Sequence, residues 1–289
     1  MRVLVATDLG ESAAAAVQEG HGRALASGGR LAVCHVVSRG AALSDRLRGR
    51  SAGNPFGHLA VRDKIGLELR GSVAASTGRT EEDLEVFVEE GDPEEEIVRR
   101  AAAWKSDLIV VGAGANRLLK SVLGGVAAGV TRHAHCPVLV ARPSHRSGGV
   151  LVATDLSDPS LPALAAGARE AARLGARLFV VHVIDVSATG TMGPLPMAMP
   201  GSSLDVELER AARRQLDEAM AGLSIAGEVH VVHGSPAAAI RRMAETVWAR
   251  LLVVGSRGRT GLARILLGSV AEEVTREAAC SVLVVRLSA

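Results

Sequence analysis

Val3-Leu4-Val5-Ala6-Thr7-Asp8-Leu9 returns almost unchanged as Val150-Leu151-Val152-Ala153-Thr154-Asp155-Leu156. A short apolar run that ends on an acid reads as a strand buried on both faces, with a loop at its carboxyl end. Further pairs follow in the same order. Val33-Cys34-His35-Val36 is answered by Val181-His182-Val183, and Leu108-Ile109-Val110-Val111-Gly112 by Leu251-Leu252-Val253-Val254-Gly255. Cys136-Pro137-Val138-Leu139-Val140 is answered by Cys280-Ser281-Val282-Leu283-Val284. Self-similarity with preserved order marks a duplicated domain. The predicted division is 1–143 and 148–289, with Ser144-His145-Arg146-Ser147-Gly148-Gly149 around the join reading as a short linker.

Between the apolar runs lie Ala/Arg/Glu/Leu segments with helical spacing. The second half reads as strands over 149–154, 177–184, 228–232, 251–255 and 281–286. Helices fall between them over 159–174, 203–222, 236–248 and 269–279. Such alternation predicts an α/β protein: two tandem doubly wound domains, each a five-stranded parallel sheet with helices on both faces. A ligand of this architecture sits beyond the carboxyl ends of the strands, where the strand order reverses.

Composition narrows the function classes. The 289 residues are 48% apolar and 22% charged, so the chain has ample material for a core. Three Phe, two Trp and no Tyr argue against base-stacking modules, and a scattered charge of +2 offers no phosphate-backbone face. No nucleic-acid partner is expected. Cys34, Cys136 and Cys280 lack CxxC spacing, so neither a disulfide framework nor a zinc site is expected. The first residues meet Asp8 before a signal-peptide core can form. The uncharged stretch 186–204 carries Pro194, Pro196 and Pro200, which suits a loop and not a membrane span. The expectation is a cytoplasmic protein without membrane contact.

The loop after the fourth strand of the second half carries the chemistry. It reads Gly255-Ser256-Arg257-Gly258, then nine residues, then Gly268-Ser269-Val270-Ala271. Gly255 and Gly258 are expected to permit positive φ and to let backbone N–H groups approach an anion. Gly268-Ser269 opens the last helix, whose free N–H groups and dipole favour phosphate. The Ser269 hydroxyl can donate to a phosphate oxygen, and Arg257 and Arg259 can add charge-assisted contacts. On its own, such a glycine loop reads equally as an ordinary strand-to-helix turn. Neither GxxxxGK[ST] nor a GxGxxG after the first strand occurs in either half.

With an Asp closing the first strand, the Gly-x-x-Gly-x9-Gly-Ser pattern resembles the ATP-binding pattern of the universal stress protein family. The likeness covers essentially the whole chain, twice, as in the tandem form of that family. The resemblance implies ATP across the carboxyl edge of the second domain. Ala153 and Thr154 would line the pocket, Asp155 would face the adenine or ribose, and the Val183 backbone would hydrogen-bond the adenine. Gly255, Gly258, Gly268 and Ser269 would hold ribose and phosphates, with Val270 and Ala271 behind them and Mg²⁺ accompanying the nucleotide. The family also implies pairing of the two halves through strands 138–141 and 282–285, and homodimers. Asp155 is read as free for a ligand because Asp158-Pro159 supplies the cap and first residue of the next helix.

The first half departs from this pattern. It reads Gly112-Ala113-Gly114, nine residues, then Gly124-Gly125, so one residue and the serine are missing. It is expected to bind ATP weakly or not at all. His35 and His182 read as core histidines, and His133 and His135 beside Cys136 offer too few ligands for a metal. No nucleophile elbow, paired carboxylates or Cys–His pair assigns a catalytic chemistry. The expected function is nucleotide-dependent regulation in a stress response. Two rivals stay open: a slow Mg-dependent ATPase or nucleotide hydrolase using Asp155, and a nucleotide-independent interaction module. The loop over 186–203, with Met192, Met197 and Met199, reads either as a lid over the nucleotide or, equally, as a disordered excursion.

Overall fold

The computed structural model describes residues 1–38, 57–114, 123–185, 203–258 and 267–286. They fall into two units, Met1–Pro143 and Ser144–Ala289. The first contains β1 (Arg2–Ala6), α1 (Glu11–Ala26), β2 (Arg30–Ser38), α2 (Gly57–Thr77), β3 (Glu85–Gly91), α3 (Pro93–Ala103), β4 (Leu108–Gly112), α4 (Gly125–His133) and β5 (Val138–Ala141). Its strands lie in the order β3-β2-β1-β4-β5, all parallel.

The second unit repeats the plan. It contains β6 (Val150–Ala153), α5 (Leu161–Leu174), β7 (Leu178–Ile184), α6 (Ser203–Gly222), β8 (Glu228–His233), α7 (Pro236–Thr246), β9 (Leu251–Gly255), α8 (Ser269–Glu277) and β10 (Ser281–Val285). The order is β8-β7-β6-β9-β10, again parallel. The expected α/β class and five-stranded parallel sheets are therefore present in both halves.

Central strands read as unbroken apolar runs because both of their faces are covered. On one face of the second sheet, Leu151, Leu252 and Val282 join Ile240 of α7 and Val274 of α8 in one cluster. Each such side chain stabilises the fold by about 1.5–3 kcal/mol when fully buried. On the other face α5 lies so close that a Cβ on Gly167 would stand 2.1 Å from Val152 Cγ2. Gly20 of α1 repeats the approach, 2.3 Å from Val5 Cγ2. Small residues at these crossings set the helix–sheet distance in both units.

One boundary differs from expectation. Asp158–Ser160 forms a separate 3-10 turn, and α5 begins at Leu161 with Ser160 in the cap position. Ser160 is buried, and its hydroxyl bonds Thr154 Oγ1 (2.7 Å) and donates to the Ser157 carbonyl (2.8 Å). Those bonds hold the chain in a tight turn before the helix starts, so Asp158 does not cap it. Among the described residues no helix is long and apolar enough to cross a membrane.

Candidate functional site

From β6 the chain crosses to β7 on one side, and from β9 it crosses to β10 on the other. The loops after β6 and β9 thus part at the carboxyl edge of the sheet, leaving a crevice between them. Thr154, immediately after β6, is held from three directions. Its N–H donates to the Val181 carbonyl (3.0 Å), its hydroxyl accepts from Leu156 N (3.1 Å), and its carbonyl accepts from His182 Nδ1 (2.9 Å). A carbonyl can only accept, so the His182 proton lies on Nδ1. The first unit repeats this arrangement, with Thr7 N donating to the Cys34 carbonyl and His35 Nδ1 to the Thr7 carbonyl at 2.9 Å.

Asp155 follows at the rim. Its Oδ1 accepts from Ser157 N (3.1 Å) and from the Ser157 hydroxyl (2.6 Å). The aspartate is therefore not free in the way expected, since one oxygen closes the local turn. Oδ2 faces the other loop: a Cβ built on Gly258 would lie 2.5 Å from it. Between them Leu156 takes φ 64, and Leu9 takes φ 64 in the first unit. A branched residue in the left-handed region costs on the order of 1–3 kcal/mol, and such outliers cluster at ligand sites.

The glycine loop is built for approach. A Cβ on Gly255 would meet the Arg257 carbonyl at 3.3 Å and the Pro159 carbonyl at 3.4 Å. Gly268 N donates to the Ser256 carbonyl (2.8 Å), which draws the start of α8 onto the loop after β9. Gly268 occupies the cap position of α8 with φ −72 and, as a glycine, brings no capping side chain of its own. None of Gly255, Gly258 and Gly268 has positive φ. The expectation of left-handed glycines at Gly255 and Gly258 is thus corrected: these positions are small because other backbone and a carboxylate crowd them.

Ala153 ends β6, buried, and Ala271 is buried in the first turn of α8, within the core. Val270 packs against the same core, and Ser269 is exposed at the helix start. Ser256 is buried and Arg257 half-buried. Val183 lies beyond the last β6–β7 pair, Ala153 with Val181. Val181 points its carbonyl toward β6, so by the two-residue period the Val183 backbone points the same way, past the end of β6. Its N–H and carbonyl face the crevice. Arg259 and residues 186–202 of the candidate lid lie outside the described residues.

The first unit shows what a shortened loop does. Gly124 N still donates to the Ala113 carbonyl (2.8 Å), the counterpart of the Gly268–Ser256 bond. Gly114, however, turns to φ 92, and a Cβ there would stand 3.1 Å from Gly124 Cα. A cavity of about 240 Å³ is lined by Asp8, His35, Val36, Gly112, Gly114 and Gly124, among others. Of the two histidines expected in the core, His182 is buried, whereas His35 is half-buried and lines this cavity; each fixes the strand end that carries its aspartate. The signal for that role is their equal 28-residue distance from Thr7 and Thr154.

Among the described residues no group of three or more His, Cys, Asp or Glu could hold a metal ion. Two solved structures share the fold over nearly the whole chain. A putative universal stress protein from Pseudomonas aeruginosa is 22% identical, with a TM-score of 0.67, covering 99% of this chain and 93% of its own. A universal stress protein from Archaeoglobus fulgidus is 23% identical, with a TM-score of 0.65, covering 99% and 96%. A universal stress protein of Mycobacterium tuberculosis is 35% identical over 192 residues, 63% of this chain and 62% of that protein. The match thus spans less than two thirds of that relative. The profile described as the universal stress protein family matches residues 1–142 and again 148–286, and with both halves carrying the same five-stranded parallel sheet, the chain belongs to that family.

Proposed function

We propose that the second unit binds ATP at the carboxyl edge of its sheet, and that the protein acts as a nucleotide-dependent regulator in a stress response. The observation that carries this reading is the convergence of two loops on one crevice. Gly258 lies against the Asp155 carboxylate, and the Gly268–Ser256 bond sets the start of α8 beside them. The residues fit the nucleotide. Asp155 Oδ2 and the Val183 backbone stand where a ribose and an adenine would be read. The first-turn N–H groups of α8 and the Ser269 hydroxyl stand where phosphates would be held. Mg²⁺ would come with the phosphates, since the described residues supply no cluster of their own.

Binding to the native state alone adds stability by mass action, about 2.7 kcal/mol at a hundredfold excess over Kd. Ordering the glycine loop in this way would couple nucleotide level to assembly or partner choice. The same reading pairs the halves through their last strands and the chains as homodimers, which sedimentation of the intact protein would check. The test of the nucleotide is mass analysis of small molecules released from purified protein, followed by calorimetric titration. Retained ATP supports the reading. Catalytic release of ADP would move it to a slow hydrolase, and absence of any nucleotide binding would leave an interaction module.

A further inference from the structure

The amino edge of the second sheet, opposite the glycine loops, differs from its counterpart in the residue that precedes the fourth strand of the unit. In the first unit Asp107, just before β4, accepts the main-chain N–H of Arg2 (2.6 Å), and Arg2 Nη1 donates to the Trp104 carbonyl (3.1 Å). The registers Val3 with Leu108 and Val150 with Leu251 put Gly149 in the place of Arg2 and Arg250 in the place of Asp107. The carboxylate is replaced by a cation. The Gly149 N–H, whose counterpart gives its proton to Asp107, donates to no acceptor among the described residues.

A cavity of about 320 Å³ opens at this place, lined by Gly148, Gly149, Gly175, Arg177, Phe179 and Arg250, among others. The Arg177 guanidinium lies 4.9 Å from the centroid of the Phe179 ring and is paired with Glu228 at 2.6 Å. Arg250 has no ion pair among the described residues. Phe179 stands where the first unit has Ala32, by the registers Leu4 with Ala32 and Leu151 with Phe179. Its ring and the Arg177 carbonyl would lie 2.6 Å and 2.4 Å from a Cβ on Gly149, so the glycine is required there.

We propose that this cavity binds a small phosphate-bearing anion, in the position that the Asp107 carboxylate holds in the first unit. One phosphate oxygen would accept the Gly149 N–H, and the others would meet the Arg250 fork, a geometry that guanidinium matches in two parallel bonds. Arg177, half-neutralised by Glu228, would add field and not a dedicated contact. The site lies at the other end of the strands from the ATP crevice and does not depend on the nucleotide reading.

The test is an amide-resolved NMR titration of the full chain with inorganic phosphate at constant ionic strength, repeated with saturating ATP. Saturable shifts at Gly148, Gly149 and Arg250, unaffected by ATP, are expected. The amides of Gly258 and Ser269 report the crevice separately, so failure at either site is read on its own. Arg250→Asp places the first unit's own residue at the position, so folding should survive, checked by its thermal midpoint. It should weaken phosphate binding at least tenfold, with Arg250→Gln intermediate. Unmoved amides at Gly149, equal shifts with sodium chloride, or undiminished binding in Arg250→Asp would each overturn the proposal.

Discussion

Gly258 is held against Asp155: a Cβ at residue 258 would lie 2.5 Å from the carboxylate oxygen Oδ2. The other oxygen is fixed by two bonds to Ser157, so the carboxylate cannot swing away without breaking them. The gap between these two residues is set by the absence of one carbon. Gly258→Val should therefore displace Asp155 and close the crevice. ATP affinity measured by calorimetry is expected to fall at least tenfold. Unfolding by urea should shift by no more than about 1 kcal/mol, because no core side chain is touched. A large loss of stability with retained affinity would reverse the assignment of this glycine.

The halves should differ in stoichiometry. One ATP per chain is expected, lost with Gly268→Val and retained with Gly124→Val, because Gly114 already folds over Gly124 in the first unit. Ser269→Ala should weaken binding by about 1.5–3 kcal/mol, the range for a hydrogen bond to a charged group, without changing stability, since the side chain is exposed. Two equivalent sites per chain would show that the 240 Å³ cavity of the first unit accepts the whole nucleotide.

His182 is buried and donates to the Thr154 carbonyl, so its removal acts on the strand end and only through it on the ligand. His182→Ala leaves a buried carbonyl without its donor, at a cost of about 1–3 kcal/mol plus a cavity contribution. Both the unfolding midpoint and ATP affinity should fall. A variant with normal stability and normal affinity would remove His182 from the positioning role.

Burial pushes the Cys34 thiol up from 9.0 to about 12, and the Glu89 carboxylate adds to the rise. The folded state thus favours the neutral thiol. Its contribution to stability is complete below about pH 9 and is lost as the pH climbs toward 12. Urea unfolding between pH 8 and pH 11 should show a shallower decline for Cys34→Ala than for the unaltered protein. Parallel declines would mean that the thiol takes no part. At pH 8 none of the three buried thiols should react with a thiol reagent until the chain unfolds.

Much of the architecture was legible in the chain itself. The repeat Val3–Asp8 and Val150–Asp155 announced the duplication, and continuous apolar runs between helical segments specified parallel sheets, because strands covered on both faces have no polar side to display. The loop Gly255–Gly258 and the helix start Gly268–Ser269 were marked by glycine spacing along one stretch of chain. What tertiary structure alone decided depends on neighbours distant in sequence. Whether Gly258 is small for its φ or for its neighbour follows from Asp155, more than a hundred residues earlier, and the neighbour is the answer. The role of His182 follows from strand register, which brings Thr154 to its ring. The start of α5 follows from the buried Thr154–Ser160 hydroxyl pair, which outweighs the capping preference of Asp158. At the other edge, the exchange of Asp107 for Arg250 has meaning only once the registers superimpose the two positions. Local pattern determines which elements form, since strands and helices draw on nearby residues. The chemistry of a site depends on which side chains the sheet sets opposite one another, and that comes from packing.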